Sequence, residues 1–349
     1  MALKSIKSEI LIIGSGVVGL SVAIRLLASG YKVLMLDKGA VGAESSWAGG
    51  GILSPLCPWD YPEQVTRLTE LGRKRYADSM GELYESSGID PEFETGGMLV
   101  LPPFDLHVAM KWCETHQVEC VEQHGGLFLP EVAHVRNPRL VQALRKRVEM
   151  LGGRILEGCE ALGFEVRSGK ISRLMASGGA LQADQYIVTA GAWSKQVLGE
   201  YALNLEIKPI RGQMLLFKFD APPIKHILLQ DGMYLIPRRD GHLLVGSTLE
   251  DVGFDKQVTE EAKLSLWQHA QILLPALRDM RPVRHWSGLR PGSPGNVPVM
   301  CRHPHLENLY INSGHFRYGV TMAPASADIM LNLLEGWQQP FDISEYRLI

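Results

Sequence analysis

Three observations predict an α/β chain in which a Rossmann-like dinucleotide-binding unit carries a second, β-rich unit. The apolar run Ile10–Ile13 leads directly into Gly14-Ser15-Gly16-Val17-Val18-Gly19, a G-x-G-x-x-G pattern. A second apolar run, Val33–Leu36, ends in Asp37, 37 − 19 = 18 residues after Gly19 and near the spacing of about 20 expected of a ribose-binding acid. After Pro209 the chain turns to short apolar or alternating runs bounded by turn residues.

The 349 residues suit two structural units, and 46% hydrophobic with 21% charged residues allow a sizeable core. A net charge of −3 with no Lys/Arg block argues against nucleic acid as a partner. The five cysteines, Cys57, Cys113, Cys120, Cys159 and Cys301, show no C-x-x-C pair and no metal-like spacing; they fit free thiols in a reducing cytoplasm. Lysines precede Ile10–Ile13, but a signal peptide would end in a small-residue cleavage site rather than in a glycine motif with a helical pattern behind it. No apolar stretch is long enough to span a bilayer. The expectation is a cytoplasmic protein without stable membrane insertion, internal repeats or a metal site.

Each part of the opening has a physical task. Ser8–Ile13 reads as a strand buried on both faces. Val17–Ala28 reads as a helix with Leu20, Ala23, Ile24 and Leu27 on one face, stopped at Gly30. Gly14 permits the tight turn, Gly16 lets main chain approach a pyrophosphate, and Gly19 lets helix and strand pack closely. The helix N-terminus, at Val17 and Val18, offers N–H groups and a positive dipole end to phosphates. These features suit NAD and FAD equally. The Gly-rich stretch Ala43–Leu53 favours FAD, because small residues let main chain lie against a flat ring.

The segments Ile12–Gly19, Leu36-Asp37-Lys38 and Ser45–Leu53 resemble the FAD-binding N-terminus of the D-amino acid oxidase-like flavoproteins, which include the glycine and sarcosine oxidases. That family usually has Glu where this chain has Asp37, a shorter acid that still reaches a ribose. The resemblance adds Lys38, Ser45, Ser46, Ala48, Gly49, Gly50, Gly51 and Leu53 to the cofactor-binding set.

Further along, Pro62–Ser87 reads as a core-packing helix and Gly96–Pro102 as a strand. A helix over Arg139–Leu151 has Asn137 as its cap, Pro138 at its first position and Gly152 as its stop. Strands follow at Gly153–Glu157, Ala161–Ser168, Lys170–Ala176 and Gln185–Val188, with a turn at Gly178-Gly179. The last strand enters Thr189-Ala190-Gly191-Ala192-Trp193-Ser194. The resemblance implies that Ala190 and Gly191 lie along FAD. Trp193, a residue whose usual part in such a segment is packing, is counted with them.

In the β-rich part, strands are expected at Gln213–Phe219, Met233–Pro237 and Leu243–Ser247, with a hairpin turn near Arg239-Asp240-Gly241 and a helix over Thr259–Leu274. The resemblance implies a glutathione-reductase-like FAD domain made of 1–85, 139–205 and 296–349. It also implies an inserted antiparallel substrate domain made of 86–138 and 206–295. Three positions carry the chemistry that the resemblance implies. Arg290, in Gly288-Leu289-Arg290-Pro291-Gly292, holds a substrate carboxylate, and Tyr234 supports it through its hydroxyl. Arg317, in Gly314-His315-Phe316-Arg317-Tyr318-Gly319, turns its carbonyl to the substrate amine. That loop passes the flavin and starts a helix around Ala323–Leu334, whose N–H groups would face flavin O2. Tyr318 stands where glycine oxidases carry Asn, and His315 is structural. No cysteine lies in this loop, so FAD is expected to be non-covalent.

The implied activity is oxidation of glycine, sarcosine or a small D-amino acid, with hydride passing to flavin and O2 as the final acceptor. The products are a 2-oxo acid, ammonia or an amine, and hydrogen peroxide; glycine imine for thiamine thiazole synthesis is a further implied product. Alternatives are a dehydrogenase that feeds a quinone and an FAD-binding subunit without turnover. Leu249 and Met233 are expected to set pocket size, and a homo-oligomer, specifically a tetramer, is expected from resemblance.

Overall fold

The structure, a computed structural model, describes residues 6–348. Its opening strand Ile6–Ile13 buries Ile10–Ile13 completely or nearly so, which a strand achieves at the centre of a sheet covered on both sides. Gly179–Val188 lies parallel to it on one edge and Val33–Leu36 on the other. Leu309–Ser313 and Arg154–Leu156 extend the parallel array, and Val299–Arg302 closes it antiparallel. Two antiparallel strands, Ala161–Arg167 and Lys170–Ala176, hang from Gly179–Val188.

Strand alternation sorts the core. Ile10 and Ile12 face a helical layer made by Val17–Ala28, Asn137–Met150, Glu63–Ser87 and Gly319–Glu335, whereas Leu11 and Ile13 face the antiparallel flap. The second sheet runs Arg284–Gly292, Lys208–Lys218, His242–Gly246, Met233–Pro237, Ile227–Gln230, Met98–Leu101, Gly126–Leu129, Val121–Gln123. Helix Glu260–Leu273, capped by the Thr259 hydroxyl, covers one face through Leu266 and Ala270. The other face turns Met214, Tyr234 and Ile236 inward against Met322, Ala325 and Ile329 of the last helix. That helix also gives Ala323, Ala327 and Met330 to the first core, so it belongs to both.

Several boundaries differ from the sequence reading. Gly179–Val188 is one strand, with Gly179 inside it at φ 128. Helix Asn137–Met150 is capped at Arg136, which places Asn137 within its first turn. The last helix starts at Gly319, four residues before the expected start, and Pro324, its sixth residue, gives up the bond to Val320 O, which takes a hydrogen bond from the Tyr76 hydroxyl at 2.8 Å instead. Arg284–Gly292, broken in sequence by Gly288 and Pro291, is nevertheless a strand; it lies at the sheet edge, where proline is admissible.

The long helix Glu63–Ser87 contains two informative glycines. A Cβ on Gly72 would overlap the Thr321 carbonyl, whereas one on Gly81 would meet nothing within 4 Å. Gly72→Ala should destabilise by about 1–3 kcal/mol and Gly81→Ala should stabilise by about 0.5–1 kcal/mol. Urea midpoints of the two variants on opposite sides of wild type would bear this out; a shared direction would refute it.

Candidate active site

The parallel strands of the first sheet end at a cavity of about 310 Å³ whose far wall is the second sheet. Ile13, Leu36, Ala190 and Ser313 reach it at or just beyond the carboxyl ends of their strands, the usual place for a ligand in an open α/β sheet.

At one end the glycine turn is fixed by contact of main chain with main chain. Gly14, at φ 109, lies so near Thr189 that a Cβ would stand 2.6 Å from the Thr189 oxygen. Gly19 packs on Gly14 and Thr189 and does not itself line the cavity. Asp37 accepts from Ser15 N and Oγ, each at 2.8 Å, and from Gly39 N at 3.0 Å, which leaves acceptor capacity for a ribose hydroxyl. Val17 N donates to Ser46 Oγ at 2.9 Å, and the first helix has no side-chain cap of its own. Lys38 Nζ sits 3.7 Å above the Trp193 ring, so this tryptophan lines the cavity instead of filling the core. Burial of Lys38 works to lower its pKa.

In the middle lies the strip Gly49–Gly51. Arg238, buried beneath it, donates to Gly50 O at 2.7 Å and Val135 O at 2.9 Å, and Trp286 Nε1 donates to Ala48 O at 3.1 Å. A Cβ on Gly51 would overlap the Val135 carbonyl. Facing this strip is the Asn137 amide, with neither its oxygen nor its nitrogen partnered. Asn312 Oδ1 and His315 Nε2 are likewise buried, unpartnered and in residues that line the same cavity. Such atoms cost about 1–3 kcal/mol each when left unsatisfied. A long ligand with a flat, polar-edged ring would satisfy them, so the residues present fit FAD.

At the other end, Arg290 donates to Ser247 Oγ at 2.7 Å and to Thr248 O at 3.2 Å. Gly212 makes room for it, since a Cβ there would overlap the guanidinium. The Tyr234 ring rests against Gly50, and its hydroxyl, beyond a weak 3.5 Å contact with Met214 Sδ, supports the charged form of Arg290. Desolvation pushes the Arg290 pKa down, and neighbouring Arg317 adds to that.

The cavity thus gathers Gly14, Gly16, Val17, Val18, Asp37, Lys38, Ser45, Ser46, Ala48–Gly51, Ala190, Gly191, Trp193, Tyr234, Arg290 and 314–319. Leu53 does not line it; it is fully buried in the first core. Met233 is one residue out of phase with Tyr234 and faces the opposite side of its sheet, under the Glu260–Leu273 helix. Leu249 is 57% exposed and lies outside the cavity wall. Sequence reading missed Asn137, Gly212, Ser247 and Asn312. Of these, Gly212, a glycine within a strand, carried the one usable signal, that of close approach.

The model of a family described as FAD dependent oxidoreductase (DAO) matches residues 9–333. The chain is 39% identical to the glycine oxidase of Pseudomonas putida, over 97% of each protein. It is 30% identical to the bifunctional protein ThiO/ThiG of Synechocystis, over 94% of this chain and 51% of that protein. The crystal structure of glycine oxidase from Geobacillus kaustophilus superposes with a TM-score of 0.93 over 98% of both chains at 23% identity.

Two predictions follow from the buried polar groups. Burial holds His315 down at about 3; burial, then Arg238 and Arg239, does the same to His134. Below about pH 6.5 the unfolded chain protonates both while the folded chain does not. Stability should therefore fall as pH drops from 7 to 5, by about 2 kcal/mol for each histidine over that interval, most of it below pH 6.5. Urea midpoints equal at the two pH values would contradict this. Separately, Asn137→Ala should leave the apoprotein's melting temperature unchanged or higher, yet weaken FAD binding about tenfold, since a ligand bond to a buried amide is worth about 1 kcal/mol or more. Unaltered FAD affinity in a fluorescence titration would refute that contact.

Proposed function

The chain belongs to the FAD dependent oxidoreductase family, and from that premise we propose that it oxidises glycine and other small amines such as sarcosine and small D-amino acids, with O2 as acceptor. It is an FAD-dependent amino acid oxidase, and FAD is its cofactor. The observation that carries the substrate reading is Arg290. Its guanidinium is anchored on one side by Ser247 and Thr248, backed by Tyr234, and turned to the cavity beside the Gly49–Gly51 strip.

When bound, FAD supplies the two-electron acceptor for the substrate α-carbon–hydrogen bond and passes the electrons to dioxygen. The protein's own part is orientation and electrostatics. Arg290 and Tyr234 hold the carboxylate through charge-assisted bonds, fixing the α-carbon over the strip. The carbonyl of Arg317 accepts from the amine and keeps its lone pair directed. Neutral His315 contributes no proton. The imine released from the α-carbon is hydrolysed to a 2-oxo acid and ammonia; glycine imine is also a precursor suited to thiamine thiazole assembly. In this reading 1–85, 139–205 and 296–349 bind FAD non-covalently, and 86–138 with 206–295 bind substrate.

Purified yellow protein mixed anaerobically with glycine, sarcosine, D-alanine and D-proline should lose its visible flavin band with glycine or sarcosine, and yield peroxide when air is admitted. Arg290→Gln should keep FAD and lose about 10²-fold or more in kcat/KM, the range expected for breaking a charged pair. An oxidised flavin with all four substrates would overturn the proposal.

A further inference from the structure

Part of the cavity wall is a segment that the rest of the protein holds by few bonds. Ser54-Pro55-Leu56-Cys57-Pro58-Trp59-Asp60-Tyr61 runs between the glycine strip and helix Glu63–Ser87. Pro55 and Pro58 have no N–H to give. Asp60 N and Tyr61 N turn back on Cys57 O and Pro58 O, and Ser54 Oγ turns to Pro55 O. Among the described residues, Leu56 N is the one main-chain group of this segment hydrogen-bonded outside it, and its partner is the Tyr318 hydroxyl at 3.4 Å.

Space lies on both sides of the segment. Ser54 and Leu56 line the main cavity, and Ser54, Pro55 and Pro58 line a second space of about 40 Å³ that reaches Thr66 and Trp112. A packed core holds a side chain by contact on every side, and part of that support is missing behind this wall. Tyr318 supplies an anchor in its place. It is buried in the turn Phe316–Tyr318, its ring meets Tyr61 edge-on at 5.0 Å, and its hydroxyl takes the Leu56 bond, so one side chain touches the segment at two points. Tyr318 and Leu56 line the cavity together with Met214 and Tyr234, and all four belong to one apolar cluster. The shorter Asn that glycine oxidases carry at this position has no ring to set against Tyr61.

We propose that Leu56 limits the size of the substituent on the substrate's α-carbon and that Tyr318 is the positioning residue that holds Leu56 in place. The proposal rests on the reading of Arg290 and Tyr234 as the carboxylate clamp. With the carboxylate fixed there, the apolar wall of Leu56 and Met214 is what a side chain on the α-carbon meets. Hydrogen or methyl fits against it, whereas a propyl chain must push Leu56 aside. The space behind the segment makes that displacement possible, and the bond from Leu56 N to Tyr318 resists it. A methylene more or less in an apolar pocket changes selection by roughly 10–200-fold, so a wall of this kind suffices to select small amines.

The test uses FAD-loaded wild type, Leu56→Ala, Leu56→Val and Tyr318→Phe. Anaerobic flavin reduction is compared for glycine, D-alanine and D-norvaline, and amide hydrogen exchange is read for the peptide that spans 54–61. Wild type should favour glycine or D-alanine over D-norvaline by about tenfold or more in reduction rate over Kd. Leu56→Ala should raise the ratio of D-norvaline to glycine about tenfold, with Leu56→Val between. Tyr318→Phe keeps the ring and loses only the hydroxyl; it should raise that ratio about threefold and speed exchange of the segment by a like factor. A wild-type preference for D-norvaline, or a ratio unchanged in both Leu56 variants, would overturn the size limit. Unaltered exchange in Tyr318→Phe would overturn the anchor, and an equal loss on all three substrates would mean that Tyr318 serves the flavin instead. Should Leu56→Ala fail to fold, Leu56→Val decides. If no amine reduces wild type, the oxidase reading itself fails. The size limit is then judged by visible-band shifts with acetate and pentanoate: Leu56→Ala should narrow the gap between their affinities, and an unchanged gap would sink it.

Discussion

The site depends on main chain coming closer to other groups than any side chain would permit. Gly14 against Thr189, Gly19 against Gly14, Gly51 against Val135 and Gly212 against Arg290 are four such approaches, and a methyl group at any of them would collide with backbone or with a guanidinium. The first sets how closely the end of the opening strand meets the chain leaving its neighbouring strand, and the second how closely the helix behind packs on that turn. The third holds the strip in the middle of the cavity, and the fourth lets a charged group lie flat across a strand. Gly14, Gly51 and Gly212 border the cavity and Gly19 packs on Gly14 behind it, so a shift at any one is felt in the cavity wall.

A second constraint is electrostatic. Arg238 is buried under the strip, and burial lowers its pKa to about 10, which still leaves it charged at neutral pH. Carbonyls of Gly50 and Val135 take the place of water around it, and His134, kept neutral, supplies a ring nitrogen at 2.9 Å. Glu92, Glu94 and Asp240 surround the cluster and favour its charge. A buried ion supported in this way fixes geometry more than it adds stability, since its desolvation cost offsets much of the attraction.

Much of this was legible in the sequence. Val17–Ala28 and Val33–Leu36 fall where periodicity puts them, because the glycines and the buried apolar runs act locally. Asn137 was misread because Asn-Pro is a good capping signal, and only the tertiary approach of Gly49 and Gly51 shows that its amide faces the cavity. Met233 failed through strand parity: Met233 and Tyr234 are neighbours in sequence and lie on opposite faces of their sheet. The support of Arg290 by Ser247 and Thr248 joins residues more than 40 apart, with no pattern in either segment to announce it.

The last helix, Gly319–Glu335, gives alternate faces to the two main cores, Ala323 and Ala327 to one and Met322, Ala325 and Ile329 to the other. A rod embedded in both halves leaves no hinge between them. The halves cannot swing apart like jaws to admit a cofactor or release a product without exposing that helix to water. Traffic through the cavity is therefore left to its short surface segments rather than to a parting of the two halves.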